Sequence, residues 1–190
     1  MTTYTPKDFT HLLGMKGFSD IMLTNHFTLY EGYVKNSNLL MTRLDGDIES
    51  GSVEYYELKR RLAWEIDGMR MHELYFKNLS KDKKEIGKET KNLLEKNFST
   101  LENWQKSFNT NCLIRGIGWV MLLQDNQTKE VFHTWIGEHN QGHILDCKVL
   151  LVMDMWEHAY MTDYGIKKAE YIEAFWNNID WNVVENRLSN

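Results

Sequence analysis

Seven histidines stand in the chain, at positions 11, 26, 72, 133, 139, 143 and 158. A lone imidazole on an apolar helix face is ordinarily a hydrogen-bonded core residue. Two of these break that pattern together. His26 falls in the apolar stripe Leu23, His26, Tyr30, Tyr33, and His72 in the stripe Leu58, Leu62, Ile66, Met69, His72, Phe76. Both stripes have helical spacing, so both rings face the seam of one helical hairpin. An unsatisfied polar group buried there costs roughly 1–3 kcal/mol, and a shared metal ion would satisfy both. A carboxylate follows at Asp154, after the apolar run Lys148 to Met153, with His158 four residues on. An ionised Asp at the end of a core strand needs a cation or several donors. A helix N-cap is the plain alternative for Asp154. Three imidazoles and one carboxylate suit iron, manganese or zinc and are too rich in nitrogen for calcium or magnesium.

The elements that must bring these groups together are legible in outline. Ser19-Asp20 caps a first helix, and a second runs from about Glu54 to Leu79, with a turn around Gly46 to Gly51. The two form an antiparallel hairpin. The Lys-rich segment 81–97 reads as a connector or solvated helix. Ser99-Thr100-Leu101-Glu102 resembles a capping box that opens a helix reaching Cys112. Gly116 to Leu123, Val131 to Ile136 and Lys148 to Met153 read as strands, the first two joined by a turn at Asp125–Thr128. Residues 169–188 return to helix. Helices first and a small antiparallel sheet after them make an α+β plan.

Composition narrows the classes. Aromatic residues are 13%, with 7 Trp, 9 Tyr and 8 Phe, enough rings for a packed core and too many for a disordered chain. The net charge of −5 and the absence of a basic patch outside Lys81 to Lys96 argue against nucleic acid as partner. No apolar run reaches the ~18–20 residues of a membrane span, and the first residues lack the pattern of a secretory signal. Two cysteines, Cys112 and Cys147, show no CxxC spacing and read as reduced thiols of a cytoplasmic protein.

Asp154-Met155-Trp156-Glu157-His158-Ala159-Tyr160 resembles the D-x-W-E-H-A-Y signature of the iron/manganese superoxide dismutase family. Met71 to Phe76 is similar to that family's second-helix ligand segment and Gly116-Ile117-Gly118-Trp119 to its G-x-G-W strand. Tyr164 to Tyr171 and Phe175 to Trp181 are similar to its C-terminal helix. The resemblance runs from about Leu23 to Leu188. It implies a helical hairpin domain over 1–85 and an α/β domain with a three-stranded antiparallel sheet over 86–190, the metal site lying between them. It also implies the ligands His26, His72, Asp154 and His158, holding one iron or manganese ion per chain, iron being the first choice. The implied activity is dismutation of superoxide to dioxygen and hydrogen peroxide, an antioxidant reaction; a metal-binding relative without that activity is the alternative. Zinc, being redox-inert, cannot serve it.

By the same resemblance Tyr33 is the tyrosine at the substrate channel, and Trp119 and Trp156 wall the metal pocket. Glu157 and His158 imply a homodimer or tetramer. Gly68 occupies the place of a glutamine that would bond the solvent on the metal. His139 is set against that solvent instead, in preference to Gln141. Several departures stand out. His26 lies seven residues before Tyr33 where the family has eight, which predicts a one-residue bulge in the first helix. The gateway histidine is replaced by Leu29 or Tyr30, its cross-dimer tyrosine by Met161, and a channel-mouth arginine by Lys168. Tyr30, His133 and His143 are expected in ordinary packing or surface positions.

Overall fold

The computed structural model describes residues 3–82 and 84–189; Met1, Thr2, Lys83 and Asn190, which the terminal ranges and the Lys-rich segment include, lie outside them. Helix α1 (Asp20–Thr42) begins where the Ser19 hydroxyl accepts the amide of Met22 at 3.1 Å, with Asp20 favourably placed in the first turn. It buries one face, Met22, Leu23, His26, Tyr30, Tyr33, Val34, Ser37 and Leu40. The chain then widens through Arg43–Asp47 and reverses at Gly46, whose φ of 144° suits a residue without a side chain. Ser52 caps helix α2 (Val53–Lys77) in the same manner. The expected bulge in α1 is absent. Its α-helical geometry is continuous from Asp20 to Thr42, and seven residues are nearly two turns, so His26 and Tyr33 share a face without one.

Helices α3 (Lys88–Phe98) and α4 (Leu101–Cys112) follow. The capping box is displaced by one residue. Thr100, not Ser99, caps α4 by accepting the amide of Asn103 at 3.1 Å, because Ser99 already closes α3 with a φ of 70°. Strands β1 (Gly118–Asp125), β2 (Val131–Gly137) and β3 (Cys147–Asp154) form one antiparallel sheet in the order β2-β1-β3. Central β1 is buried from Gly118 to Gln124, which explains its uninterrupted apolar run. Register sets Trp119 opposite both Ile136 and Asp154. A Cβ on Gly118 would lie 2.1 Å from the Ile136 carbonyl oxygen, so the strand can start there only with glycine.

A 3₁₀ turn at Glu157–Ala159 and the short helix α5 (Met161–Tyr164) lead to α6 (Lys168–Asn177) and α7 (Trp181–Ser189). The helix expected over 169–188 is therefore two. The break at Asn178–Asp180 is held by backbone bonds to the end of α2, from Ser80 N–H to Asn178 and from Asp180 N–H to Asn78. Both cysteines are free thiols, and Cys112 is buried. Among the described residues no helix is long and apolar enough to cross a membrane.

Candidate metal centre

Four elements converge. His26 comes from the second turn of α1, His72 from the last two turns of α2, Asp154 from the final position of β3, and His158 from the 3₁₀ turn beyond it. Their donor atoms all lie within 4.8 Å of one another. Asp154 Oδ2 is the hub, 3.2 Å from His26 Nε2, 3.2 Å from His158 Nε2 and 3.8 Å from His72 Nε2. Donors about 2.1 Å from a common ion stand ~3.0 Å apart at right angles and ~3.6 Å apart at 120°; the two 3.2 Å spacings fall in that range and the 3.8 Å one just beyond it. Asp154 is the end of a core strand and no helix cap; its Oδ1 accepts the amide of Trp156 at 2.8 Å.

The tautomer of His72 supplies an independent test of fit. Its Nδ1 lies 2.6 Å from the Gly68 carbonyl oxygen, which only accepts, so Nδ1 carries the proton. Nε2 is left with a bare lone pair, fully buried and without a hydrogen-bond partner. An imidazole oriented through one nitrogen, with the other aimed at a carboxylate and two further imidazoles, is the usual state of a metal-ligating histidine. Burial holds His72 and His26 below the ordinary histidine range, so both are neutral and able to bind a cation. Burial would raise Asp154, but its neighbours His158 and His26 outweigh that and hold it ionised. His158 is the partly open member, its side chain 23% exposed.

Aromatic rings enclose the cluster. Trp119 meets the His72 ring at 4.9 Å, Phe76 meets His26 at 4.8 Å, and Trp156 lies 5.7 Å from His158. Tyr33 packs 5.1 Å from His72 and is joined to His139 Nε2 at 2.8 Å, and Trp119 Nε1 lies 3.1 Å from His139 Nδ1. His139 is fully buried, whereas Gln141 is exposed. A Cβ on Gly68 would stand 2.8 Å from Tyr33 Cδ1 and 3.2 Å from His139 Cδ2. The place of the missing glutamine is thus filled by these two rings. Tyr30 is buried and turned to Glu73, whereas Leu29 is only partly buried; Met161 and Lys168 line an outer cavity of about 530 Å³ with Glu157.

Sequence reasoning missed three contributors. Trp64 stacks edge-on against His139 at 4.5 Å and donates its indole N–H to Glu138, with the Arg61 guanidinium 3.7 Å over its face. The Tyr171 hydroxyl donates to the backbone oxygen of Asp154 at 2.8 Å and meets Tyr75 at 2.9 Å. Glu73, next to His72, is buried yet paired with Lys7 and Arg70. Trp64 and Glu73 lie outside the apolar stripe read for α2, and only their distance from His72 along the helix could have marked them.

The fold and the donor set are those of a mononuclear metalloprotein in which a helical hairpin supplies two donors, and the end of a small sheet with the turn after it supplies two more. Residues 86–187 match the family model of the iron/manganese superoxide dismutases, C-terminal domain. The chain is 31% identical over 192 residues to a superoxide dismutase (Fe) of Aquifex aeolicus, covering 96% of this chain and 90% of that one. It is 29% identical over 181 residues to a superoxide dismutase (Fe) of Saccharolobus solfataricus, covering 91% and 84%. It is 27% identical over 174 residues to a superoxide dismutase (Mn/Fe) of Aeropyrum pernix, covering 89% and 81%. The chain belongs to the iron/manganese superoxide dismutase family.

Proposed function

We propose that His26, His72, Asp154 and His158 are the ligands at which this superoxide dismutase works, with one iron or manganese ion per chain. Held by these four residues, such an ion would supply one-electron exchange between two superoxide molecules. The observation that carries the assignment is the buried, unpartnered Nε2 of His72, turned toward the carboxylate that His26 and His158 share.

The chain's own residues do four things in that reaction. Asp154 places a single negative charge among three imidazole donors, which would leave the loaded site cationic and attractive to an anion despite the net charge of −5. Trp119, Trp156 and Phe76 keep bulk water away, and the low dielectric strengthens that attraction. The Gly68 carbonyl and the Tyr171 hydroxyl fix the directions of His72 and Asp154. Tyr33 and His139 hold a proton beside the site for the peroxide product.

Iron is the first choice, manganese the second, in keeping with the names of the relatives. The hairpin, residues 1–85, and the remainder, 86–190, serve as two domains with the metal between them. A homodimer, or a tetramer built from it, would cover the outer cavity at Glu157, where Ile117, Met161 and Ile166 are exposed, and would shield His158. The buried free thiol of Cys112 suits a reducing cytoplasm. Metal content and superoxide consumption of the purified protein test the ligand assignment together. The wild type should carry one redox metal per chain and consume superoxide, and Asp154→Ala should lose both. Undiminished metal content and turnover in that variant would overturn the assignment.

A further inference from the structure

Away from the donor cluster, the connector at 84–86, the start of α4 and the junction of α6 with α7 enclose another cavity, of about 290 Å³. Ligand pockets run from ~300 to ~1,000 Å³, so this one has room for a single small ring. None of the residues lining it is among those that surround His26, His72, Asp154 and His158. Three indoles form its walls. Trp104, from the start of α4, is buried and meets Trp176 edge-on at 5.1 Å and Trp181 at 5.8 Å. Trp176 is anchored by donating its N–H to Asn109 Oδ1 at 2.7 Å. Trp104 Nε1 has no such partner: it is buried and unbonded among the described residues. An indole nitrogen can only donate, and the ring edges and faces beside it are poor acceptors. Trp181 is half-buried at the start of α7, and its indole makes no hydrogen bond among the described residues.

We propose that this cavity binds a small, uncharged heteroaromatic ring bearing a hydrogen-bond acceptor. Each part of that description comes from the walls. Trp176 and Trp181 stand at 85° and 65° to Trp104, so a flat ring stacked on one indole meets the next edge-on. The unspent N–H of Trp104, with a second at Trp181, calls for acceptor atoms on the ligand. Lys84 and Glu85 bring one charge of each sign to the lining, which favours a neutral molecule over an anion or a cation. Gln105 and Asn177, exposed at the rim, add carboxamides that can pair with an amide or a ring nitrogen. Trp181 is the wall that turns to admit the ligand, since Trp176 is tied to Asn109 and Trp104 is buried. The site is separate from the metal centre and depends on none of the ligands assigned there.

Nicotinamide, a neutral ring with a carbonyl acceptor, is the probe. Its binding to the metal-loaded protein would be followed by calorimetry and by the indole N–H signals in NMR, the Trp104 signal being the one missing from Trp104→Phe. Saturating nicotinamide should move that signal downfield as the hydrogen bond forms. Trp104→Phe keeps a ring in the wall and drops the N–H, so it should weaken binding about tenfold with metal content and superoxide consumption unchanged. Trp181→Ala, at a half-buried position, should weaken binding as well and serves if Trp104→Phe does not fold. Toluene, which lacks an acceptor, and nicotinate, which is charged, should both bind more weakly than nicotinamide. The inference would be overturned by an absence of binding at millimolar nicotinamide, by a Trp104 signal that stays in place at saturation, or by equal affinity in wild type and both variants. Nicotinate binding as tightly as nicotinamide would overturn it too.

Discussion

Two tyrosines one helical turn apart on α1 flank His72, and they are held in opposite senses. Tyr30 is 1% exposed and Tyr33 is 7% exposed, so burial does not distinguish them. Their partners do. The Tyr30 oxygen accepts the backbone N–H of Lys7 at 3.0 Å, and its hydrogen is donated to Glu73 Oε1 at 3.2 Å. That carboxylate is in turn paired with Lys7 and Arg70. The Tyr30 side is thus a closed network that ties the N-terminal segment to the hairpin. Burial pushes the Tyr30 phenol up to about 12, so it does not ionise near neutral pH. On the other side Tyr33 meets His139 where Tyr30 meets Glu73. A neighbouring carboxylate takes the hydrogen of one phenol; beside the imidazole, the hydroxyl of the other has no acceptor besides His139 among the described residues.

The contrast can be broken from either side. The largest effect is expected on the Tyr30 side, where Lys7→Met with Arg70→Met leaves the Glu73 carboxylate buried and unpaired. Stability should fall by about 3–5 kcal/mol in denaturant titration, while the metal that remains bound keeps its potential. An unaltered unfolding midpoint would show that Glu73 does not depend on its cations.

Next comes pH. The folded pKa of His139, about 4, lies below its unfolded value near 6.5, so between these the unfolded chain binds more protons. The contribution is fully present above pH 6.5 and is lost as pH falls toward 4, on the order of 3 kcal/mol. His133, lowered to about 4 by burial, titrates in the same window. Stability measured from pH 7 to 4 should therefore decline, and His139→Gln should flatten part of the slope. A slope unchanged in that variant would assign the decline to other groups.

Gly68→Ala sets the helix-forming gain of alanine against a Cβ 2.8 Å from Tyr33. A net loss of about 1–2 kcal/mol is expected, with the metal potential shifted because Tyr33 must move. Smallest is Tyr30→Phe. Removing one hydroxyl should cost about 0.5–1.5 kcal/mol and leave the potential where it was. A potential shift in Tyr30→Phe as large as that in Tyr33→Phe would erase the distinction between the two sides.

Most of the frame was readable before folding. The α1 and α2 stripes, the strand triplet and the run from Asp154 to His158 each carry a local signal: helical period, apolar length or a dense motif. The convergence of His26, His72, Asp154 and His158 was readable because each interrupts such a signal with a polar group that needs a partner. The order of hydrogen bonds from Trp119 through His139 to Tyr33 was not. It depends on side chains far apart in sequence meeting within 3.1 Å, and nothing at position 139 says which nitrogen accepts. The bulge expected in α1 failed for a different reason. A one-residue difference in spacing from the family pattern need not distort a helix when seven residues already nearly close two turns. The break inside the helical stretch expected over 169–188 was not legible, because Asn178–Asp180 is held by backbone bonds across the molecule, which no local pattern announces.

Gly68 joins two duties in one peptide unit. Its carbonyl steers the ring of His72, and its missing side chain admits the rings of Tyr33 and His139. That turn of α2 therefore behaves as a common pivot: any change that tilts it swings the ring of His72 and crowds those of Tyr33 and His139 in a single movement. A variant library built here should find the orientation of His72 and the packing of the two rings changing as a pair.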